Sequence, residues 1–174
     1  MILSFFITAL VQQVKSGLTG KEPVDMHLYN FAKKAKKKCI GLETIDEQLS
    51  AIDQMSIDEQ VEALLETIKN DSINKELSKI IDHYLSQDLM KLKALVDEEE
   101  MSLELKESLL DDRNYRIANR ISEVSKTNTV FVAVGAAHLI GDKGILKHLK
   151  DKGFDVSPVK IEIQKLSANG KDYK

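Results

Sequence analysis

The chain has 174 residues, 43% apolar and 30% charged, with 25 basic and 28 acidic side chains and a formal charge of −3. That composition excludes a disordered, collagen-like or low-complexity chain, and the near balance of charge leaves no electrostatic footprint for nucleic acid. Trp is absent and aromatics are only 5%, which argues against stacking platforms for bases or sugars.

The length suits one domain over residues 1–174. The single cysteine, Cys39, excludes an internal disulfide and a cysteine-rich zinc site. The most apolar run is the first, from Met1 to Val11. It is too short for a bilayer span, which takes about 20 residues. It has no basic n-region and no clear small-residue cleavage site. It reads as a buried helix or strand, with a degenerate signal peptide as the alternative. A chain that opens on its most apolar segment also suggests one cut from something longer.

Residues 24–38 read as a helix with Met26, Leu28, Tyr29, Phe31 and Ala32 inward. It ends in the lysine run Lys33 to Lys38, which complements the helix dipole. That run is either a solvated helix end or a surface for an anionic partner. Cys39-Ile40-Gly41-Leu42 reads as a short buried strand. Thr44-Ile45-Asp46-Glu47 and Ser56-Ile57-Asp58-Glu59 are two capping boxes. They start helices over about 45–54, with Leu49 and Ile52 inward, and about 57–69, with Val61, Leu64, Leu65 and Ile68 inward.

Residues 73–97 carry the strongest helical periodicity, from Ile73 and Leu77 through Ile80, Ile81, Tyr84 and Leu85 to Leu92 and Val96. The acidic run Asp97 to Glu100 reads as a solvated connection. A further helix spans about 102–126. Thr129-Val130-Phe131-Val132-Ala133-Val134 reads as a strand buried on both faces, as in a parallel sheet. A helix at about 142–152 stops at Gly153. Phe154 to Lys165 reads as a second strand, with Pro158 marking an edge or bulge.

The expected fold class is therefore α/β. A small mixed or parallel sheet is flanked by helices, with a large helical insertion over about 45–126 between the first and later strands.

His138 is the focal residue. It follows the 129–134 run in a turn of glycine and alanines, at the kind of strand end where open α/β sheets bind ligands. A histidine there is a metal ligand, a general base, or a histidine that only ties a turn. Glu43 holds the analogous place after residues 39–42. If the two strands run parallel, Glu43 and His138 share one crevice, a pairing suited to zinc, manganese or iron. Two ligands do not make a site. Glu43 also reads as ordinary negative charge before a helix N-terminus. Arg113, in Asp111-Asp112-Arg113-Asn114-Tyr115, is either in a local ion pair or a guanidinium that orients a carboxylate. His27, His83 and His148 read as surface or boundary residues. There is no G-x-S-x-G, H-E-x-x-H or P-loop motif.

Together these residues resemble the TraB/GumN family, which is related to the Tiki metalloproteases. The resemblance is carried by residues 129–144 with the G-x-x-H motif Gly135 to His138, by Leu149, Gly153, Phe154 and Val156, and by Gly41-Leu42-Glu43-Thr44 with Gln48-Leu49. Asp25 to Ala35, Tyr84 to Leu89 and Asp112-Arg113-Asn114 also match, in order, over about residues 20–160. The resemblance implies an α/β core with a helical insertion and, from the Tiki relatives, metal-dependent peptidase chemistry. His138 and Glu43 are then ligands of a divalent ion (Mn, Co or Zn), and the catalytic residues are Glu43, His138 and Arg113, the last a supporting cation. The resemblance also implies a peptide as substrate or ligand.

The family's first G-x-x-H is missing, so the chain resembles the C-terminal half of such a protein. It is expected to work as a homo-oligomer or with a missing N-terminal half. The alternative is a peptide (pheromone)-binding module without catalysis. The family also suggests an extracytoplasmic or membrane-associated location, although no signal peptide is evident and no segment spans a membrane directly.

Overall fold

The computed structural model describes residues 22–53, 56–69, 73–98 and 106–159. The first capping box forms as its spacing requires. Thr44 Oγ1 accepts from the Glu47 backbone N–H at 3.2 Å, and the Glu47 carboxylate accepts from the Thr44 N–H at 2.7 Å. This box starts α2, Ile45–Ile52, after α1, Val24–Lys34. The second box closes in the same way between Ser56 and Glu59 and starts α3, Ile57–Lys69.

Two helices end earlier than the periodicity suggests, for one reason. After α1, Lys36 takes a left-handed φ of 55°, and Lys37 N–H reaches back to Ala32 O at 2.9 Å. The single helix expected over 73–97 is two, α4 (Ile73–Leu85) and α5 (Leu89–Glu98). At the break Gln87 has φ 57°, and Asp88 N–H donates to His83 O at 3.0 Å. The Asp88 carboxylate then accepts from Lys91 N–H at 3.1 Å, capping α5. In each case a 6→1 bond satisfies the carbonyls that a helix end leaves open.

The expected helix over about 102–126 also differs. A π-helical turn, Glu107–Asp111, runs into α6, Asp112–Ser125. Such turns recur at functional sites. Beyond it come a 3₁₀ turn, Ala136–His138, and α7, Ile145–Asp151. The predicted stop is present. Gly153 has φ 88°, and Phe154 N–H donates to Leu149 O at 3.0 Å.

The core lies between α6 and α7. Ile117, Ala118, Ile121 and Ile145 are buried together, and Leu42, Val132, Val134 and Leu149 pack against them. At the N-terminus of α7, Gly144 permits the close approach. A Cβ there would stand 2.5 Å from Ile140 O, so the turn before α7 can close on its own backbone only with glycine at this position.

The expected sheet is corrected. The described residues are helical and irregular, with no strand among them. Residues 39–42, 129–134 and 154–159 carry no ladder, and the rest of the expected second strand, 160–165, lies outside the described residues. The residues from Thr129 to Val134 are not buried on both faces either. Val132 and Val134 face the core, whereas Phe131 is 83% exposed. β-branched residues favour extended backbone, but a strand exists only as a hydrogen-bonded pair. An apolar run records the first property and not the second.

Candidate functional site

Three separate parts of the chain meet on one flank of α6. Arg113, in its first turn, grips Glu43 with two parallel bonds, Nε to Oε1 at 2.9 Å and Nη2 to Oε2 at 2.8 Å. Its Nη1 donates to Leu109 O at 3.1 Å, which ties the guanidinium to the π-helical turn. This fork geometry is the strong form of an Arg–carboxylate pair. Glu43 is only 6% exposed in its side chain and Arg113 21%. Two turns on, Arg120 donates to Leu42 O at 2.7 Å and to both oxygens of Glu47 at 2.8 and 2.7 Å. Glu47 thus caps α2 and docks it onto α6 at once.

His138 is set by the buried Asn114, the residue after Arg113. Asn114 Nδ2 donates to Lys143 O at 3.0 Å, which fixes the orientation of the amide. Its Oδ1 lies 2.7 Å from His138 Nδ1. A carbonyl oxygen can only accept, so His138 Nδ1 carries the proton. In the neutral ring Nε2 is then the free lone pair.

The charges follow from this packing. Arg113 beside Glu43 holds that carboxyl below its usual range, against the opposing effect of burial. Burial pushes His138 down, Arg113 pushes it further, and Glu43 opposes both. His138 therefore favours the neutral imidazole, and Glu43 the carboxylate.

The structure thus brings Glu43 and Arg113 into direct contact and places His138 within electrostatic reach of both. Arg113 takes its carboxylate from Glu43, 70 residues away, while Asp111, two residues before it, goes to Lys143 at 2.9 Å. Sequence reasoning named Asn114 only as part of a motif. Its signal was a polar residue three and four positions before Ile117 and Ala118, on the stripe that turns inward. His27 bonds exposed Glu22 at 3.2 Å, and His148 packs edge-on against Tyr115 at 5.6 Å. A cavity of about 170 Å³, lined by Lys93, Leu110, Asn114, Ala137, Gly141 and Lys143 among others, opens on the Asn114 side of the site.

A divalent metal does not fit the described residues alone. No group of three His, Cys, Asp or Glu side chains converges among them, and both Glu43 oxygens are engaged by Arg113. His138 Nε2 is the remaining free ligand atom of the pair.

The sequence profile of the TraB/PrgY/gumN family matches residues 1–158, and the chain belongs to that family. It is distantly similar to the protein named Metalloprotease TIKI2 of Xenopus tropicalis, at 23% identity over 167 residues, covering 79% of this chain and 32% of the relative. The protein of the same name from Danio rerio gives the same identity and coverage. The chain therefore spans about a third of the length of these curated relatives. No solved structure matches. Among the described residues no helix is long and apolar enough to cross a membrane.

Proposed function

We propose that the chain contributes one wall of a peptidase-like hydrolytic site, with His138 Nε2 as its reactive atom. The observation that carries this reading is the 2.7 Å bond from His138 Nδ1 to Asn114. It aims one lone pair, while burial and Arg113 favour the neutral ring, the state in which imidazole takes a proton from a nucleophile. The protonated ring that forms is favoured by the Glu43 carboxylate and opposed by Arg113. Glu43 serves the site as a fixed negative charge. A carboxyl held low is a weak base near neutrality, so the proton goes to His138. In the relatives' chemistry a divalent ion acidifies bound water. The described residues alone do not fit such an ion. A homo-oligomer or an N-terminal half supplying the rest of the site is part of the same proposal.

The test incubates the chain with a mixture of unmodified decapeptides, with chelator or with Mn, Co or Zn, and reads cleavage by mass spectrometry. The expected result is cleavage that His138→Ala abolishes. Cleavage unchanged in that variant contradicts the reading.

The engagement of Glu43 by Arg113 favours a second reading, a peptide-binding module. It predicts no cleavage, together with peptide affinity that survives chelator.

A further inference from the structure

Helix α6 carries three arginines on one flank, Arg113, Arg116 and Arg120, at the three- and four-residue spacings that stack side chains on a helix face. The outer two are each forked onto a glutamate, Arg113 on Glu43 and Arg120 on Glu47. Arg116, between them, has no hydrogen bond or ion pair among the described residues. Its Nε is enclosed by protein and has no partner. The side chain is half-buried, and its terminal nitrogens are not among the enclosed unpartnered atoms. They remain the accessible donors.

An enclosed guanidinium Nε–H without a partner is destabilising, and Glu43 and Glu47 on this flank are already forked onto Arg113 and Arg120. Glu43 lies within electrostatic range of both Arg116 and His138, so this cation, which has no direct partner among the described residues, borders the candidate site.

The geometry points to Arg116 as the anchor for a ligand carboxylate, such as the free C-terminus of a peptide, bound through its terminal nitrogens. This rests on the reading of the site as one that takes a peptide, and it adds the chemical group that the peptide must present. Carboxylate and phosphate both match a guanidinium fork, and the experiment separates them.

The test follows the Arg Nε–H resonances of the ¹⁵N-labelled chain. The chain is titrated at constant ionic strength with acetyl-trialanine carrying a free carboxylate, with its C-terminal amide, and with inorganic phosphate. The Arg116 Nε–H is enclosed, which slows its exchange with water and keeps it observable. A saturable shift of Arg116 with the acid is expected, at least tenfold weaker with the amide and weaker with phosphate, while Arg113 and Arg120 stay in place. Arg116→Gln should remove the preference for acid over amide, read on neighbouring backbone amides, and Arg116→Lys should keep part of it. No saturable shift with the acid, equal shifts with acid and amide, or tighter binding of phosphate would overturn the proposal. The readout does not involve cleavage. Loss of the hydrolytic reading in His138→Ala experiments therefore leaves this result standing, and the reverse also holds.

Discussion

Helices α3 and α6 both carry apolar residues at three- and four-residue spacing. On α6 the stripe is buried, with Ala118 at 0% and Ile117 at 3% exposure. On α3 Val61 and Leu65 stay about half exposed, and on α4 Ile80, Ile81, Tyr84 and Leu85 do too. Periodicity explains why each segment is a helix. Burial needs a second surface. For α6 that surface is α7, Leu42 and the 132–134 run.

The comparison predicts unequal costs of truncation. Ile117→Ala or Ile145→Ala should destabilise by about 2–5 kcal/mol, because each leaves a cavity in a closed core. Val61→Ala or Ile80→Ala should stay within about 0.5 kcal/mol. Urea unfolding of the four variants checks this. Equal losses in both regions would show that α3 and α4 are as tightly packed as α6.

A smaller effect is expected at the charged flank. Arg113→Ala leaves the nearly buried Glu43 carboxylate unpaired and should cost about 1–3 kcal/mol. Arg120→Ala should cost less, since Arg120 and Glu47 are wetter and Glu47 keeps its bond to Thr44. A double-mutant cycle of Arg113 with Glu43 measures the coupling. A coupling near zero would reduce the pair to a surface contact.

Acid should act on the same residues in order. His138 is depressed from 6.5, so the folded chain binds fewer protons at this site than the unfolded chain. Stability from neutral His138 is whole above 6.5 and is lost as pH falls toward the folded value. Glu43 and Glu47 are also depressed, from 4.5, Glu47 to about 2. Their contribution is present above 4.5 and is lost as pH falls from there through the folded values. Unfolding midpoints should therefore drop in two stages on acidification, the first of them missing in His138→Gln. A first stage that persists in that variant assigns it to another group.

What was legible in the sequence was local. The two capping boxes are four-residue devices, and Gly153 needs only its own φ. The break after α4 was harder to read, because a left-handed Gln87 carries no glycine to announce it. The sheet was misread because Val130 to Val134 encode a backbone preference and pairing is a property of two segments. The site was half legible. Glu43 and His138 were singled out by their place after two expected strands, which do not form among the described residues, and Arg113 by its place at a helix boundary. Asn114, which orients His138, looked like any polar helix residue until its two partners, 24 and 29 residues away, were in place.

The central claim is that Asn114 fixes the His138 tautomer with Nε2 free, on a ring that burial and Arg113 favour as neutral. Asn114→Ala should cost about 1–3 kcal/mol through the partners it orphans, but stability alone does not report the tautomer. The direct measurement is the ¹⁵N spectrum of the His138 ring as a function of pH. The account predicts a protonated Nδ1, an unprotonated Nε2 and titration below 6.5, with the tautomer preference lost in Asn114→Ala. A ring protonated on Nε2, or one that titrates at or above 6.5, would contradict it.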